Sequence, residues 1–289
     1  MKTTQYRAVG LAAALYLGAF GGMAQAVGLQ EENVAAKLAK IHFQVEQLNR
    51  MVKGVCFVDA GVNVERNRAT VYAARDAFEE TLPEIRAEVA KLDPKNPAKR
   101  PLERSLKKKT DQWFRFRIFL DREMKAGSPD AGALGQIAMM EIGLEKSIER
   151  AFKVIRRQAI KENNVSMAEL IEESTIFDRV VLAEKMVKEA CLVSLKEGGS
   201  HERALLGEAI MHFEKVLEVE EKSLLASPPV KALIPEWRSI LPRVQVLTTG
   251  TDADERLLED LDALKQEWFD VSGIKALLKS GLQDLPAIA

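Results

Sequence analysis

Apolar residues recur at intervals of three and four positions near the start of the chain, the spacing of one face of a helix packed in a bundle. This first stripe comprises Val34, Leu38, Ile41, Val45, Leu48, Val52 and Cys56. A second helical stripe comprises Ile171, Val180, Ala183, Val187, Ala190 and Cys191. The two stripes predict helices over about 29–60 and about 166–195.

The two predicted helices are related by an offset of 135 residues. Over the 42 positions from 41 to 82, this offset gives 13 identities without a gap. Unrelated sequences of this composition would give about three. The matches include Cys56 with Cys191 and Phe78 with Phe213. The chain therefore contains an internal duplication.

Proline clusters mark matching places in the two copies. Each cluster falls between the second and third predicted helices and precedes a helix with a tryptophan. The clusters are Pro94, Pro97 and Pro101 in the first copy, and Pro228, Pro229 and Pro235 in the second. Fourth helices are predicted over about 131–161 and about 252–281, because both segments follow capping-type residues.

These patterns predict an all-α protein made of two tandem up-and-down four-helix bundles with long helices. The first bundle occupies residues 27–163 and the second occupies residues 164–289, with a boundary at the KENNV segment. No part of either unit alternates with period two, so we expect almost no strand.

The N-terminal residues 1–26 have the pattern of a secretory signal peptide. Lys2 and Arg7 precede an apolar run over residues 8–22, and an Ala-Gln-Ala sequence ends the segment. The alternative is an uncleaved membrane anchor, but the run is short for a spanning helix of about 20 residues and is diluted by glycine. We therefore expect cleavage and a periplasmic protein.

Composition argues against several classes of function. After removal of the leader, 40 basic and 43 acidic residues remain and are interspersed, so we expect no nucleic-acid partner. Three histidines and two cysteines without metal-binding spacing predict no metal or cofactor. The phosphate-loop, dinucleotide and nucleophile-elbow motifs are missing as well, so we expect no enzyme.

Both copies resemble a family of bacterial sensor domains. The segment RMVKGVCFVDAGV, beginning at Arg50, and ARDAFEETL, beginning at Ala74, resemble the periplasmic N-terminal domain of type IV pili methyl-accepting chemotaxis transducers, the PilJ type. KMVKEACLV, from Lys185, and FEKVL, from Phe213, fit the same pattern. The PilJ-type domain is related to the nitrate-sensing domain of NarX-like kinases. The resemblance implies a four-helix bundle that senses a ligand or partner outside the inner membrane, often as a dimer packed through its first helices.

The sequence departs from that family at two points. Nitrate-binding members use an Arg-Met pair on the first helix, and the corresponding positions here are Val45-Glu46 and Val180-Val181. These side chains cannot bind an oxyanion as arginine does, so we do not expect nitrate sensing. No relay, kinase or methyl-accepting region follows the second unit, so we expect no signalling output of its own.

Two basic pairs at equivalent positions are the candidate ligand-binding residues. Each pair spans about one helical turn, and an anion or acidic partner could bind where the pairs converge. The four residues are Arg50, Lys53, Lys185 and Lys188. The alternative, which the pattern favours, is a solvated face on which Glu46 and Glu184 balance the charge.

Cys56 and Cys191 are also equivalent under the offset. In an oxidising compartment the two thiols could form a disulfide, provided that the first helices of the two units pack together. Because both cysteines lie on apolar stripes, the favoured interpretation is two buried thiols in separate cores.

Two further sets of side chains are interpreted as structural. Glu208 and His212 are one turn apart, but a di-iron bundle needs Glu-x-x-His on two helices, so a surface pair is expected. The tryptophans are expected in the core or in a groove wall. They are Trp113, Trp237 and Trp268.

Together these observations predict an exported, non-catalytic sensory or binding protein that recognises a small ligand or a membrane receptor. It would be peripheral at most to the membrane, and a dimer or an intrachain pseudo-dimer through the first helices. The alternative is a structural or adaptor protein of the cell envelope, associated with pili or secretion.

Overall fold

A computed structural model describes residues 43–97, 99–126, 131–163, 167–195, 199–222, 228–250 and 256–271. The signal peptide predicted for residues 1–26 lies outside these ranges, as does the first part of the first predicted helix. The described residues contain helices and turns and no strand. The prediction of an all-α protein is therefore confirmed.

Eight helices account for most of the described residues. Helix α1 covers residues 43 to 59 of the described chain. The others are α2 (Val64–Lys91), α3 (Lys99–Ala126), α4 (Ala131–Asn163), α5 (Met167–Ser194), α6 (Ser200–Lys222), α7 (Pro228–Thr248) and α8 (Leu257–Val271). None of these helices is both long and apolar enough to cross a membrane.

Helices α1 and α2 are connected by a tight turn and pack closely against each other. Gly61 has a φ of 73° and Asn63 a φ of 46°, so both occupy the left-handed region, where glycine and asparagine are the favoured residues. A Cβ atom at Gly54 would lie only 2.5 Å from Cγ2 of Val71. Glycine at this position therefore permits the helices to touch.

The first four helices surround an aromatic core. Gln44 on α1 donates to the hydroxyl of Thr81 on α2 at 2.9 Å, and α3 contacts both α2 and α4. Between them, Phe78 and Trp113 place their ring centroids 4.1 Å apart. The apolar spacing of the sequence thus produces interhelical packing.

Helices α5 to α8 form a ring in which each helix contacts the next and α8 returns to α5. Phe213, Trp237 and Trp268 fill its centre with edge-to-face contacts, which aromatic rings prefer. The buried apolar residues of this ring are continuous with those of α1 to α4. The prediction of separate cores is therefore wrong.

The second proline cluster differs from the expectation that it lies between helices. Pro228 and Pro229 begin α7, where the missing amide hydrogen is not needed, but Pro235 lies inside the helix. Its ring is exposed and takes no space in the core, but it cannot supply the amide hydrogen that a helical residue at this position would donate.

Candidate functional site

A disulfide joins the two copies of the repeat. Cys56 on α1 and Cys191 on α5 are bonded, with their Cα atoms 6.2 Å apart, and both are fully buried. Because α1 and α5 share one core, the two cysteine stripes face each other. The favoured interpretation of two separate buried thiols is therefore wrong. The bond links equivalent positions of the two copies, so it lies where the copies meet. We call this contact of α1 with α5 the junction.

Lys53 lies one helical turn before the disulfide and is 3% exposed. Its Nζ atom lies 3.1 Å from Oε1 of Glu184 on α5 and 3.3 Å from Oδ1 of Asp262 on α8. Glu184 also contacts the buried Lys265 of α8, and Asp262 contacts Arg66 of α2. We call this group, with Arg50 and Glu46, the α8 junction cluster.

Lys188 occupies the equivalent position on α5 and is equally buried. Its Nζ atom lies 2.8 Å from Oε2 of Glu141 on α4 and 3.0 Å from Oε1 of Glu189. One turn earlier, Lys185 lies 3.1 Å from Oε1 of Glu145 on α4. These five residues form the α4 junction cluster.

The two clusters are related by the repeat. The lysine on the first helix of each copy pairs with a carboxylate on the last helix of the other copy, α8 for Lys53 and α4 for Lys188. The pairing is reciprocal, because each copy supplies one lysine to a carboxylate of the other. The junction therefore joins the copies by a covalent bond flanked by two buried sets of charges.

The four candidate basic residues thus all lie at the junction, in two clusters. Arg50 pairs with Glu46 of its own helix at 3.5 Å, as the alternative interpretation expected. Lys53 and Lys188, however, are buried, so the prediction of a solvated face is wrong for them. Burial follows from the contact of α1 and α5, which covers a second face of each helix. Carboxylates of the chain occupy the places where an anion was predicted.

Burial shifts the pKa values in the α8 junction cluster. Loss of hydration lowers the pKa of Lys53, although the charge of Asp262 acts in the opposite direction. Burial also lowers the pKa of Lys265 well below its ordinary value, and the nearby Lys53 and Arg50 lower it further. Burial therefore disfavours the charged form of both lysines, and the carboxylates Asp262, beside Lys53, and Glu46, near Lys265, oppose this effect.

The α4 junction cluster contains more acids than bases. Burial raises the pKa of Glu141 to about 7, and the charges of Glu145 and Glu189 add to this effect. Burial acts to lower the pKa of Lys188, but the attraction of Glu141, Glu189 and Glu145 outweighs it and raises the pKa above the ordinary value. Lys188 is therefore charged at neutral pH.

The sequence reasoning missed the acidic partners on α4 and α8. A usable indication existed on α4, where Glu141 and Glu145 are one turn apart, as are Lys185 and Lys188 on α5. Two acids and two bases at matching spacing can pair across adjacent helices. Asp262 had no such pattern around it.

A buried lysine in the first unit was also missed. Lys109 of α3 contacts Oε1 of Gln44 and lies 5.5 Å from the ring centroid of Phe78. Burial lowers its pKa to about 7, and the charge of Arg86 contributes. Its place in the core was detectable, since it continues the spacing of four and three set by Leu102, Leu106, Trp113 and Phe116.

The tryptophans and the Glu208–His212 pair lie where the sequence predicted them. Trp113, Trp237 and Trp268 are buried in the core. Glu208 and His212 form a surface pair at 3.6 Å. Across the part of the chain that the structure describes, no group of three or more His, Cys, Asp or Glu residues is arranged to hold a metal ion.

Comparison of the chain with protein-family models, with curated proteins and with solved structures gave no match.

Proposed function

We propose that this chain is an exported, non-catalytic sensory or binding protein in which two PilJ-like bundles form a dimer within one polypeptide. It would recognise a membrane receptor or a small ligand and transmit no signal itself. The signal-peptide pattern supports export, and the resemblance to PilJ-type domains supports sensing.

The junction between α1 and α5 carries the proposal. The resemblance implies dimers packed through their first helices, and here the first helices of the two copies are joined by Cys56–Cys191. The flanking Lys53 and Lys188 each pair with the opposite copy. Such an arrangement suits two sensor bundles that act as one unit.

The junction argues against small anions bound by the four basic residues. An incoming anion would have to displace Glu184 and Asp262 from Lys53, or Glu141 from Lys188, inside a dehydrated core. Leaving a buried carboxylate without its cation costs about 3–5 kcal/mol. We therefore assign these residues to holding the copies together and place recognition on the outer helix surfaces.

Two assays test the proposal. A thermal-shift screen of small anions, amino acids and other metabolites seeks a ligand. Crosslinking of the tagged protein to solubilised envelope membranes, followed by mass spectrometry, seeks a membrane sensor. A saturable ligand or a specific sensor supports the proposal, and the failure of both assays contradicts it.

Variants of the partly exposed basic residues locate the binding surface. Arg50→Gln and Lys185→Gln remove positive charge at the edge of the junction, and the amide can still donate a hydrogen bond to Glu46 or Glu145. The ion pairs of Lys53 and Lys188 are left intact. We expect ligand or sensor binding to survive both changes. Loss of binding in these variants, with unchanged helical circular dichroism, would place recognition at the junction instead.

The adaptor function is the second candidate, and exposed apolar side chains favour it. Met139, Met211 and Val219 lie on outer surfaces with about half or more of each side chain in water. Such positions can contact a protein neighbour. An adaptor would crosslink to pilus or secretion components rather than to a sensor, so the same mass spectrometry separates the two functions.

A further inference from the structure

Helix α3 has a large excess of basic side chains, unlike the chain as a whole. Over Lys99–Ala126 it has ten basic and four acidic side chains, whereas the whole chain has 42 basic and 43 acidic residues. The corresponding helix of the second copy, α7, has three basic and one acidic side chain. The excess of positive charge is therefore not required by the repeated fold.

The basic side chains of α3 lie mainly on its outer face. Its inner face is buried and, apart from Lys109, mainly apolar, with Leu102, Leu106, Trp113, Phe116 and Leu120 in the core. The opposite side chains are exposed and recur with helical spacing. Seven of them are basic, two are large and apolar, and two, Glu103 and Asp111, are acidic. We call this surface the α3 basic face, after its majority residues: Arg100, Arg104, Lys107, Lys108, Phe114, Arg115, Ile118, Arg122 and Lys125.

Two large apolar residues lie in the middle of this basic face. Phe114 is 55% exposed and Ile118 is 51% exposed, and they are one helical turn apart. Basic residues lie on both sides of them along the helix, Lys108 on one side and Arg122 on the other. An apolar pair on a face with a net positive charge matches the interface of a membrane that carries anionic headgroups.

We propose that the α3 basic face docks on an anionic lipid surface. Its cations attract the headgroups, and Phe114 and Ile118 enter the boundary between headgroups and acyl chains. The face is the outer side of one helix of 28 residues, about 42 Å long at 1.5 Å per residue. Seven basic and two acidic side chains give this elongated face a net positive charge, which suits a planar array of anionic headgroups. The proposal is independent of any receptor or small ligand.

Co-sedimentation of the full chain with vesicles tests the proposal. We expect binding to vesicles of phosphatidylethanolamine containing phosphatidylglycerol, little binding to phosphatidylcholine alone, and loss of binding at high salt, because salt screens exposed charges. Failure to bind the anionic vesicles overturns the proposal. Equal binding to both vesicle types overturns it as well.

Charge variants assign the binding to α3. Arg104→Gln with Lys108→Gln should weaken vesicle binding about 25-fold, since each basic residue near an anionic surface contributes about fivefold. The control is Lys215→Gln with Lys222→Gln, which removes the same charge from exposed positions of α6. An equal loss in the control would contradict docking through α3. Circular dichroism checks that both variants fold.

Apolar variants separate lipid docking from an acidic protein partner. Phe114→Ser with Ile118→Ser should reduce vesicle binding, whereas Met211→Ser with Val219→Ser, at exposed positions of α6, should leave it unchanged. Retention on immobilised poly-glutamate without vesicle binding would assign the face to an acidic protein and overturn the lipid proposal.

Discussion

Lys53 and Lys188 occupy equivalent positions in the two copies, and each places its ammonium group against a carboxylate on the last helix of the other copy. Both lysines are dehydrated, so each depends on its partner from across the junction. The two halves are thus held together by reciprocal contacts as well as by a covalent bond.

Substitution of Lys53 by methionine should strongly destabilise the protein. The change leaves Glu184 and Asp262 with one fewer cation in a buried site, and removing one partner of such a pair costs about 3–5 kcal/mol. Urea unfolding with the disulfide intact measures the loss. As a control, Arg238→Met removes the exposed pair with Glu221 and should cost about 1 kcal/mol or less. Equal losses in the two variants would show that the junction pair contributes no more than a surface pair.

Replacement of both cysteines by serine should also destabilise the fold. The bond closes a loop across 135 residues, and the chain-entropy treatment assigns about 5 kcal/mol to such a loop. The free energy of unfolding of Cys56→Ser with Cys191→Ser, compared with the oxidised parent, gives the contribution. Alkylation of the denatured, unreduced protein should detect no free thiol. Two alkylated cysteines would contradict the bond.

Gly54→Ala should destabilise the contact between α1 and α2 by about 1–3 kcal/mol, because the added methyl group would overlap Val71 and lie 3.1 Å from the carbonyl oxygen of Asn67. Val71→Ala in the same chain should recover part of the loss. Gly207→Ala is the matched control, since nothing lies within 4 Å of its added methyl group. That helical substitution should stabilise by about 0.4–1 kcal/mol. Thermal unfolding of the set distinguishes crowding from helix propensity.

Lys109 should make stability rise with pH above neutrality. Burial lowers its pKa in the folded state to about 7 from the ordinary lysine value of 10.5. Between these values the unfolded chain binds the proton and the folded chain does not, so stability increases by up to about 1.4 kcal/mol per pH unit. Lys109→Met should reduce this slope, while the exposed neighbour Lys108→Met should not. Urea unfolding at several pH values from 7 to 9 measures it, and equal slopes in the two variants would contradict the assignment.

The sequence allowed the helices to be predicted because one apolar stripe per helix is enough to bury one face. It could not reveal that α1 is buried on further faces, since Glu46, Gln47 and Asn49 interrupt those faces and are nevertheless buried. Part of their hydrogen bonding is met within α1, since Gln47 donates to Glu46, Asn49 donates to the carbonyl oxygen of Val45, and Arg50 pairs with Glu46. Lys53, by contrast, finds its carboxylates on α5 and α8, which are distant in sequence. The equivalence of Cys56 and Cys191 was visible, but whether they met depended on how α1 and α5 pack.

Both sides of the disulfide junction belong to one polypeptide, so their pairing does not depend on protein concentration. A dimer of separate chains would dissociate on sufficient dilution, and its subunits could exchange with those of related dimers. Here the two copies are parts of one chain from synthesis onwards, so neither can be exchanged for a copy from another molecule. The duplicated copies can therefore diverge, as α3 and α7 have done in charge, without producing mismatched assemblies.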